Sequence, residues 1–539
     1  MFKENNVNNT NQVEKIIIVG GGSSGWISAS YLAKALDHNV EITVVESDRI
    51  GKIGVGEATI PTIKEELFDF LQIPEEEWMP ECGGSYKLAI KFANWKKSPK
   101  EGGDHYYHSF GELPTYDGIP VTHLWINKYL KGFNEPMDYS CYSTPHICDN
   151  FLSPNYADGK KAVHYAYHFD ALKVADFLKK WSVKHGVNHV VDELVSAELH
   201  ENGNIKSVTG KDGQVYEADL FIDCTGFAGF LIEKTLKEPV VSYGDSLITD
   251  SAVAINIPDD PEQNGIRPYT SATAFDAGWL WEIPLYDRSG NGYVYSSQFK
   301  TTDEAETELR QFFGPKVDNL DVRHIKFKSQ RRRRSWVKNC ICFGLSSSFL
   351  EPLESTGLYF VYAALYQFVQ YFPDKDIDPA LRDKFNERIA YMVEDVKDFI
   401  ILHFHSSPRT DTDFWLANKH DIHVPDSLKE ILALQKAGIP VNKSYHGNES
   451  LYSTLDASFD RFWTNSNFQC IFAGVDYLPT RPMPLLNHKK DLVEKAEVIF
   501  ARQKENTEKM LGELPTHYEY LKQMKHRSLA LEKEKMLLQ

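Results

Sequence analysis

No stretch of this 539-residue chain approaches the roughly 18 consecutive apolar residues of a membrane-spanning helix, so no membrane span is expected. Cysteine is scarce. The seven present (Cys82, Cys141, Cys148, Cys224, Cys340, Cys342 and Cys470) are scattered, odd in number and free of CxxC spacing, which argues against a disulfide framework and against a zinc or other metal site and fits a reducing cytoplasm. Cationic side chains are outnumbered, 59 against 76 acidic ones, and a formal net charge of -17 argues against a nucleic-acid partner. The one dense basic run, four arginines at 331–334, reads as a strand edge or a local phosphate contact. Residues 1–12 lack the basic region and apolar core of a signal peptide and read as a frayed arm. Internal repeats are also missing. What is abundant is apolar and aromatic surface, 42% and 13% of residues, in a chain too long for one ordinary core. Two modules or one elaborated fold are expected.

Residues 16–19 (Ile-Ile-Ile-Val) form a short β-branched run that leads into Gly20-Gly21-Gly22-Ser23-Ser24-Gly25. A helical stretch over 26–36 and a second strand over 40–45, closing on Glu46, complete the order strand, glycine turn, helix, strand, acid. The order has a chemical reason. Gly20, Gly22, Ser23 and Gly25 let backbone approach a pyrophosphate at a helix N-terminus, and Glu46 can accept from an adenosine ribose hydroxyl. Two later runs, 219–226 and 340–344, read as buried strands that end at glycines, the second at Gly344. Strands that return to such a core after long insertions suit a two-part flavoprotein better than a compact nicotinamide domain, so the expected dinucleotide is FAD. The fold class is then α/β, a Rossmann-like FAD-binding module of the flavin monooxygenase type over residues 13–375, with insertions. Over 376–539 the periodicity turns mainly helical, and this region is expected to cover the substrate. Within it Leu492, Val493, Ala496, Ile499 and Phe500 share a face expected to pack on the flavin module. Residues 522–539 read as a solvated helix or tail.

Several further stretches carry chemistry-bearing residues. Trp279-Leu280-Trp281-Glu282-Ile283-Pro284 sets two indoles two residues apart, on one side of a strand that the proline ends. A pair of core aromatics would by itself account for it. Gly54-Val55-Gly56-Glu57-Ala58-Thr59-Ile60-Pro61 is a second glycine turn, with Thr59 and Pro61 placed to start a helix. Residues 85–92 alternate, so Lys87 and Lys91 are expected on one face of a single strand, where lysine usually meets water. Phe349-Leu350-Glu351-Pro352-Leu353-Glu354-Ser355-Thr356-Gly357 precedes an apolar helical run over 358–372. Ser355 is placed to cap that helix and the amides of Thr356 and Gly357 to form a small anion site, although a plain cap by Glu354 and Ser355 uses the same residue types. Aromatic-rich segments at 105–111, 167–171 and 462–467 complete the set.

In this order, and along nearly the whole chain, WLWEIP, GVGEATIP, the Lys87 segment and LEPLESTG resemble the flavin-dependent tryptophan halogenases. The resemblance implies regioselective chlorination or bromination of the indole ring of free L-tryptophan. Trp279, Trp281, Ile283 and Pro284 would be the family motif, its indoles a wall that keeps a flavin hydroperoxide from direct contact with substrate. Gly54, Glu57, Ala58 and Thr59 would lie beside FAD, and Tyr167-His168-Phe169-Asp170-Ala171 resembles a flavin-side motif. Reduced FAD would come from a separate flavin reductase and react with oxygen, and halide held at Thr356 and Gly357 would yield hypohalous acid. That acid would pass to Lys87, which could hold it by hydrogen bonding or become an N-chloramine; a desolvated lysine suits either role. Glu354 would orient Lys87 and accept the ring proton. His108, Phe110 and Trp463 would sandwich the indole, with Ser355, Tyr452, Phe462 and Asn467 completing the pocket. A homodimer is compatible with the resemblance. The chain departs from the family at Ser453, where many members have a second tyrosine, and near Ser458, the approximate place of an acid that holds the amino group; Asp456 and Asp460 are the candidate substitutes. Another indole substrate, hydroxylation by a flavin monooxygenase and a flavin-binding sensor without turnover are the alternatives.

Overall fold

The β-branched run at 16–19 has no polar face, and such strands are stable only when covered on both sides. In the computed structural model, which describes residues 11–37, 39–49, 56–111, 113–441, 448–449 and 462–537, this run is a central strand. Lys15–Val19 pairs in parallel with Glu41–Glu46 on one side and Leu220–Asp223 on the other. The six-stranded sheet runs Asn188–Val191, Glu41–Glu46, Lys15–Val19, Leu220–Asp223, Cys340–Cys342, Trp336–Val337, and only its last pair is antiparallel. Helix Ser23–Ala35 packs against helices Ala171–Lys184 and Gly357–Gln370. The expected strands at 16–19, 40–45, 219–226 and 340–344 thus lie side by side in one Rossmann-like layer.

A seven-stranded sheet forms the second layer, in the order Val322–Lys326, Ser251–Pro258, Arg288–Tyr295, Gly278–Pro284, Tyr269–Phe275, Ala89–Ala93, His105–Ser109. A separate small sheet sets Ala166–Phe169 between Glu57–Ala58 and Ser85–Lys87, with Ala58 opposite His168 and Lys87 opposite Ala166. One continuous apolar core runs from Val13 to Met524 and takes in Phe399, Ile400, Ile401 and Leu402 of the long helix Pro379–Ser406. Among the described residues no helix is long and apolar enough to cross a membrane.

Two expectations are corrected. Residues 85–92 are not one strand: Leu88 breaks the ladder, its N–H donating to Pro268 O at 2.8 Å and its carbonyl accepting from Phe110 N at 2.9 Å. Lys87 therefore belongs to the small sheet and is fully buried, whereas Lys91 lies in the large sheet, partly exposed, 3.7 Å from Asp149. The arginine run is not a strand edge. Gln330–Arg332 is the middle strand of three, and Arg331, Arg332 and Arg334 pair with Glu394, Glu233 and Glu238. Helix Lys490–Glu513 buries Leu492, Ala496 and Phe500 and packs on helices Met137–Cys141 and Thr144–Asp149, both within residues 13–375.

Candidate active site

At the dinucleotide turn close approach decides the sequence. A Cβ on Gly25 would stand 1.9 Å from Gly20 O, and one on Gly21 would stand 1.8 Å from the Glu46 carboxylate, so strand, turn and acid are packed to contact. Gly22, by contrast, faces open space. It caps helix Ser23–Ala35 without a side-chain bond, and that helix has no acid in its first turn. The result is a set of helix amides with open space before them, which fits a pyrophosphate. Ser23 Oγ donates to Ala171 O at 3.2 Å, and Gly344 packs beside Ser24. Glu46 accepts from Lys179 at 3.0 Å and His189 at 2.9 Å, which hold it under the turn. These residues fit FAD as the sequence expects.

The Trp279–Pro284 segment lies inside strand Gly278–Pro284, in the interior of the large sheet. Both indoles are buried, their ring centroids 6.3 Å apart. Trp279 Nε1 donates to Glu351 Oε2 at 2.7 Å, and Thr249 Oγ1 donates to the other oxygen at 2.9 Å. Burial pushes the Glu351 carboxyl up to about 7, against the pull of those two donors. The Ile-Pro end is a junction: a Cβ on Gly56 would touch Ile283, and Pro284 O accepts from Ser85 Oγ at 2.5 Å. One strand end thereby ties the GEATIP loop to the Lys87 strand. In that loop Glu57 is raised to about 7 by burial, Ala58 is buried, and Thr59 Oγ1 bonds the backbone of Tyr167.

Lys87 Nζ donates to Thr59 O at 3.0 Å and to Ser355 Oγ at 2.8 Å, with the Phe110 ring centroid 5.3 Å away. Burial lowers this amine from 10.5 to about 7, and the nearby charge of Glu354 recovers only part of the loss. Ser355 is in the left-handed region, φ 60°, after the short turn Pro352–Glu354; that turn aims its hydroxyl at Lys87, so it does not cap the next helix. Thr356 is the N-cap of Gly357–Gln370, again without a side-chain bond, and the Cβ direction of Gly357 is open. Glu354 does not cap either. Its Oε2 lies 2.9 Å from His108 Nδ1 and its Oε1 2.7 Å from His403 Nε2, and its effect on Lys87 is through charge. Burial pushes this carboxyl up, but His108 and His403 outweigh it and bring it to about 2.

His108, Phe110, Trp463 and Phe462 are buried around this centre. Trp463 stacks on Phe399 at 3.9 Å and Phe462 on Tyr359 at 4.4 Å. The His108 and Trp463 centroids are 6.2 Å apart and tilted by 46°. An indole between them needs about 7 Å, twice a carbon–carbon contact, so it can enter only if the two rings move apart. Asn467 reaches His108 Nε2 at 3.0 Å. Gly54 and Tyr452 lie outside the described residues, as do Ser453, Asp456, Ser458 and Asp460.

Sequence reading missed three residues. His403 and Glu351 carry a signal in hindsight, a polar side chain inside an otherwise apolar run. His517 accepts from Tyr86 N at 3.0 Å and donates to Ile266 O at 3.0 Å, anchoring the final helix on the Lys87 strand, and its local sequence gives no hint of this.

A Rossmann-like layer with a dinucleotide turn, coupled through one strand to a buried lysine and carboxylate, defines a flavin-dependent enzyme. The chain belongs to the tryptophan halogenase family, whose model, described as "Tryptophan halogenase", matches residues 15–491. It is 45% identical to tryptophan 7-halogenase RebH of Lentzea aerocolonigenes, over 95% of this chain and 99% of that protein. It is 43% identical to tryptophan 6-halogenase ThaL of Streptomyces albogriseolus, with the same coverage. The crystal structure of tryptophan 6-halogenase SttH from Streptomyces toxytricini superposes with a TM-score of 0.87 at 39% identity, covering 94% of this chain and 99% of that one.

Proposed function

We propose that this enzyme halogenates the indole ring of free L-tryptophan, with FAD supplied in reduced form by a separate flavin reductase. The observation that carries the reading is a fully buried lysine bonded to a carbonyl and a hydroxyl, near a fully buried carboxylate held between two imidazoles; burial takes the amine to about 7 and the imidazoles bring the acid to about 2, so one group can be neutral and the other ionised in the same site. Gly20, Gly22, Ser23, Gly25, Glu46 and Gly344 would hold the dinucleotide, with Glu57, Ala58 and Thr59 at its flavin end. When bound, reduced flavin with oxygen and halide supplies hypohalous acid. The amides of Thr356 and Gly357, at an uncapped helix start with open space before Gly357, are the chain's halide donors. Lys87, fixed by Thr59 O and Ser355 Oγ, presents the electrophilic halogen to the indole held by His108, Phe110 and Trp463. Glu354 takes the proton that leaves the ring carbon. Phe462, Asn467 and Tyr452 complete the substrate pocket. Trp279 and Trp281 separate flavin from substrate, which disfavours direct hydroxylation. Seven buried, unpaired cysteines suit work in a reducing cytoplasm.

The test is turnover with a flavin reductase, oxygen, chloride or bromide, and tryptophan, tryptamine or indole, with products read by mass spectrometry and NMR. Halogenated tryptophan is expected, its ring position identified by NMR. An oxygenated product indifferent to halide, or turnover only of indoles without the amino-acid group, refutes the reading.

A further inference from the structure

Glu354 lies between two imidazoles, and the outer partners of those rings fix where the protons are. Asn467 Oδ1 accepts from Thr464 N and Thr464 Oγ1, both at 2.8 Å, as the return arm of the capping box that starts helix Asn465–Gly474. Its Nδ2 is then the atom 3.0 Å from His108 Nε2. An amide nitrogen only donates, so His108 Nε2 accepts and the ring carries its proton on Nδ1. That N–H points at both Glu354 oxygens, at 2.9 and 3.1 Å. For His403 the outer partner is Phe399 O, 2.7 Å from Nδ1. A carbonyl only accepts, so Nδ1 bears a proton. Nε2 lies 2.7 Å from Glu354 Oε1, a separation at which two bare lone pairs would repel, so a second proton lies between them.

We infer that His403 is an imidazolium paired with the Glu354 carboxylate, and that it is the positioning residue that keeps the proton acceptor ionised in a buried site. The second proton belongs on His403 because Glu354 already accepts from His108 and faces the Lys87 amine. A carboxylate buried without such a cation would retain its proton and could not take one from the ring. Asn467 supports the arrangement by holding His108 neutral, so one ring carries charge and the other only donates. The titratable groups facing Glu354 are Lys87 from Ser85–Lys87, Tyr106 and His108 from His105–Ser109, His403 from Pro379–Ser406 and Cys470 from Asn465–Gly474. The role assigned to His403 rests on Glu354 as the proton acceptor of the proposed reaction; its protonation state does not.

The test labels histidine with 15N in the full chain and reads the ring nitrogens by NMR at neutral pH without flavin or substrate. His403 is expected with both nitrogens protonated, and His108 with Nδ1 protonated and Nε2 bare. A bare nitrogen on His403 overturns the inference, whatever the enzyme catalyses. The second arm measures kcat against pH in His403→Gln, which keeps a donor and removes the charge. In wild type the acid limb is set by Lys87 at about 7; in the variant Glu354, retaining its proton at neutral pH, is expected to become the limiting group and move that limb toward alkali by about one pH unit or more, so that a roughly tenfold deficit at acid pH recovers at alkaline pH, with KM for tryptophan little changed. An equal loss at every pH makes His403 a packing residue and overturns its role. If His403→Gln does not fold, the NMR arm on the wild-type chain still decides. If the wild-type chain gives no halogenated product, the proposed function falls and the NMR result stands apart from it.

Discussion

Replacing Lys87 by methionine should abolish halogenation and yet stabilise the protein, by an amount that depends on pH. The folded amine is depressed from 10.5 to about 7. A lysine depressed in the fold contributes stability that is present above its unfolded value and is lost as pH falls through its folded value, because the unfolded chain binds the proton first. The window therefore runs from about 10.5 down to about 7. At roughly 1.36 kcal/mol per pH unit, the cost at and below pH 7 is about 5 kcal/mol. Methionine has a similar length and no proton to lose, but it forfeits the bonds to Thr59 O and Ser355 Oγ, about 1 kcal/mol each. Lys87→Met should then be more stable by about 3 kcal/mol near pH 7, with the advantage gone toward pH 10. Paired denaturation curves of the two proteins across this range measure the difference, in which the pH dependence of all other groups cancels. Flavin binding should be retained. A difference that stays constant with pH would show that Lys87 is not desolvated as described, and the account of its chemistry would fall with it.

Gly25→Ala, which sets a Cβ 1.9 Å from a backbone oxygen of the turn, should cost at least about 2 kcal/mol and abolish FAD binding in a fluorescence titration; tight binding by the variant would contradict the fit. Trp279→Phe removes one of the two donors that hold Glu351 down to about 7 against burial. That carboxyl should rise further, and the carboxylic-acid band in the infrared spectrum at neutral pH should grow relative to wild type. His517→Ala leaves Tyr86 N and Ile266 O without their buried partner and should cost about 2–4 kcal/mol in denaturation, with kcat lowered because the Lys87 strand loses its support. Unchanged stability there would mean that water replaces the ring.

The flavin layer was legible because its order is written locally: a β-branched run, glycines, a helix and an acid within about thirty residues. The Gly25 and Gly21 contacts show why no other residue could stand there. Lys87 was misread in its geometry by pattern alone. Alternation predicts one strand, but Leu88 gives its backbone bonds to Pro268 and Phe110, 180 and 22 residues further along the chain. Such pairing is tertiary, and periodicity carries no trace of it. The same holds for Glu354. Its sequence neighbours suggest a helix cap, whereas its partners come from residues 108 and 403. The arginine run failed for a related reason, since the acids that neutralise it lie at 233, 238 and 394.

Burial by itself drives every ionisable group toward neutrality, so it would leave an uncharged amine and an uncharged acid at this centre. The first is what halogen transfer needs and the second is not. The fold resolves the conflict through the partners that it brings to each group. Lys87 receives a backbone carbonyl and a hydroxyl, which bind the amine without adding charge, so desolvation prevails. Glu354 receives two imidazoles from separate elements, so desolvation is overcome. Exchanging the kind of partner, rather than the burial, should therefore invert each outcome. A carboxylate in place of Ser355 would restore the ammonium form of Lys87 and shift the acid limb of turnover upward, even though the lysine stays as buried as before.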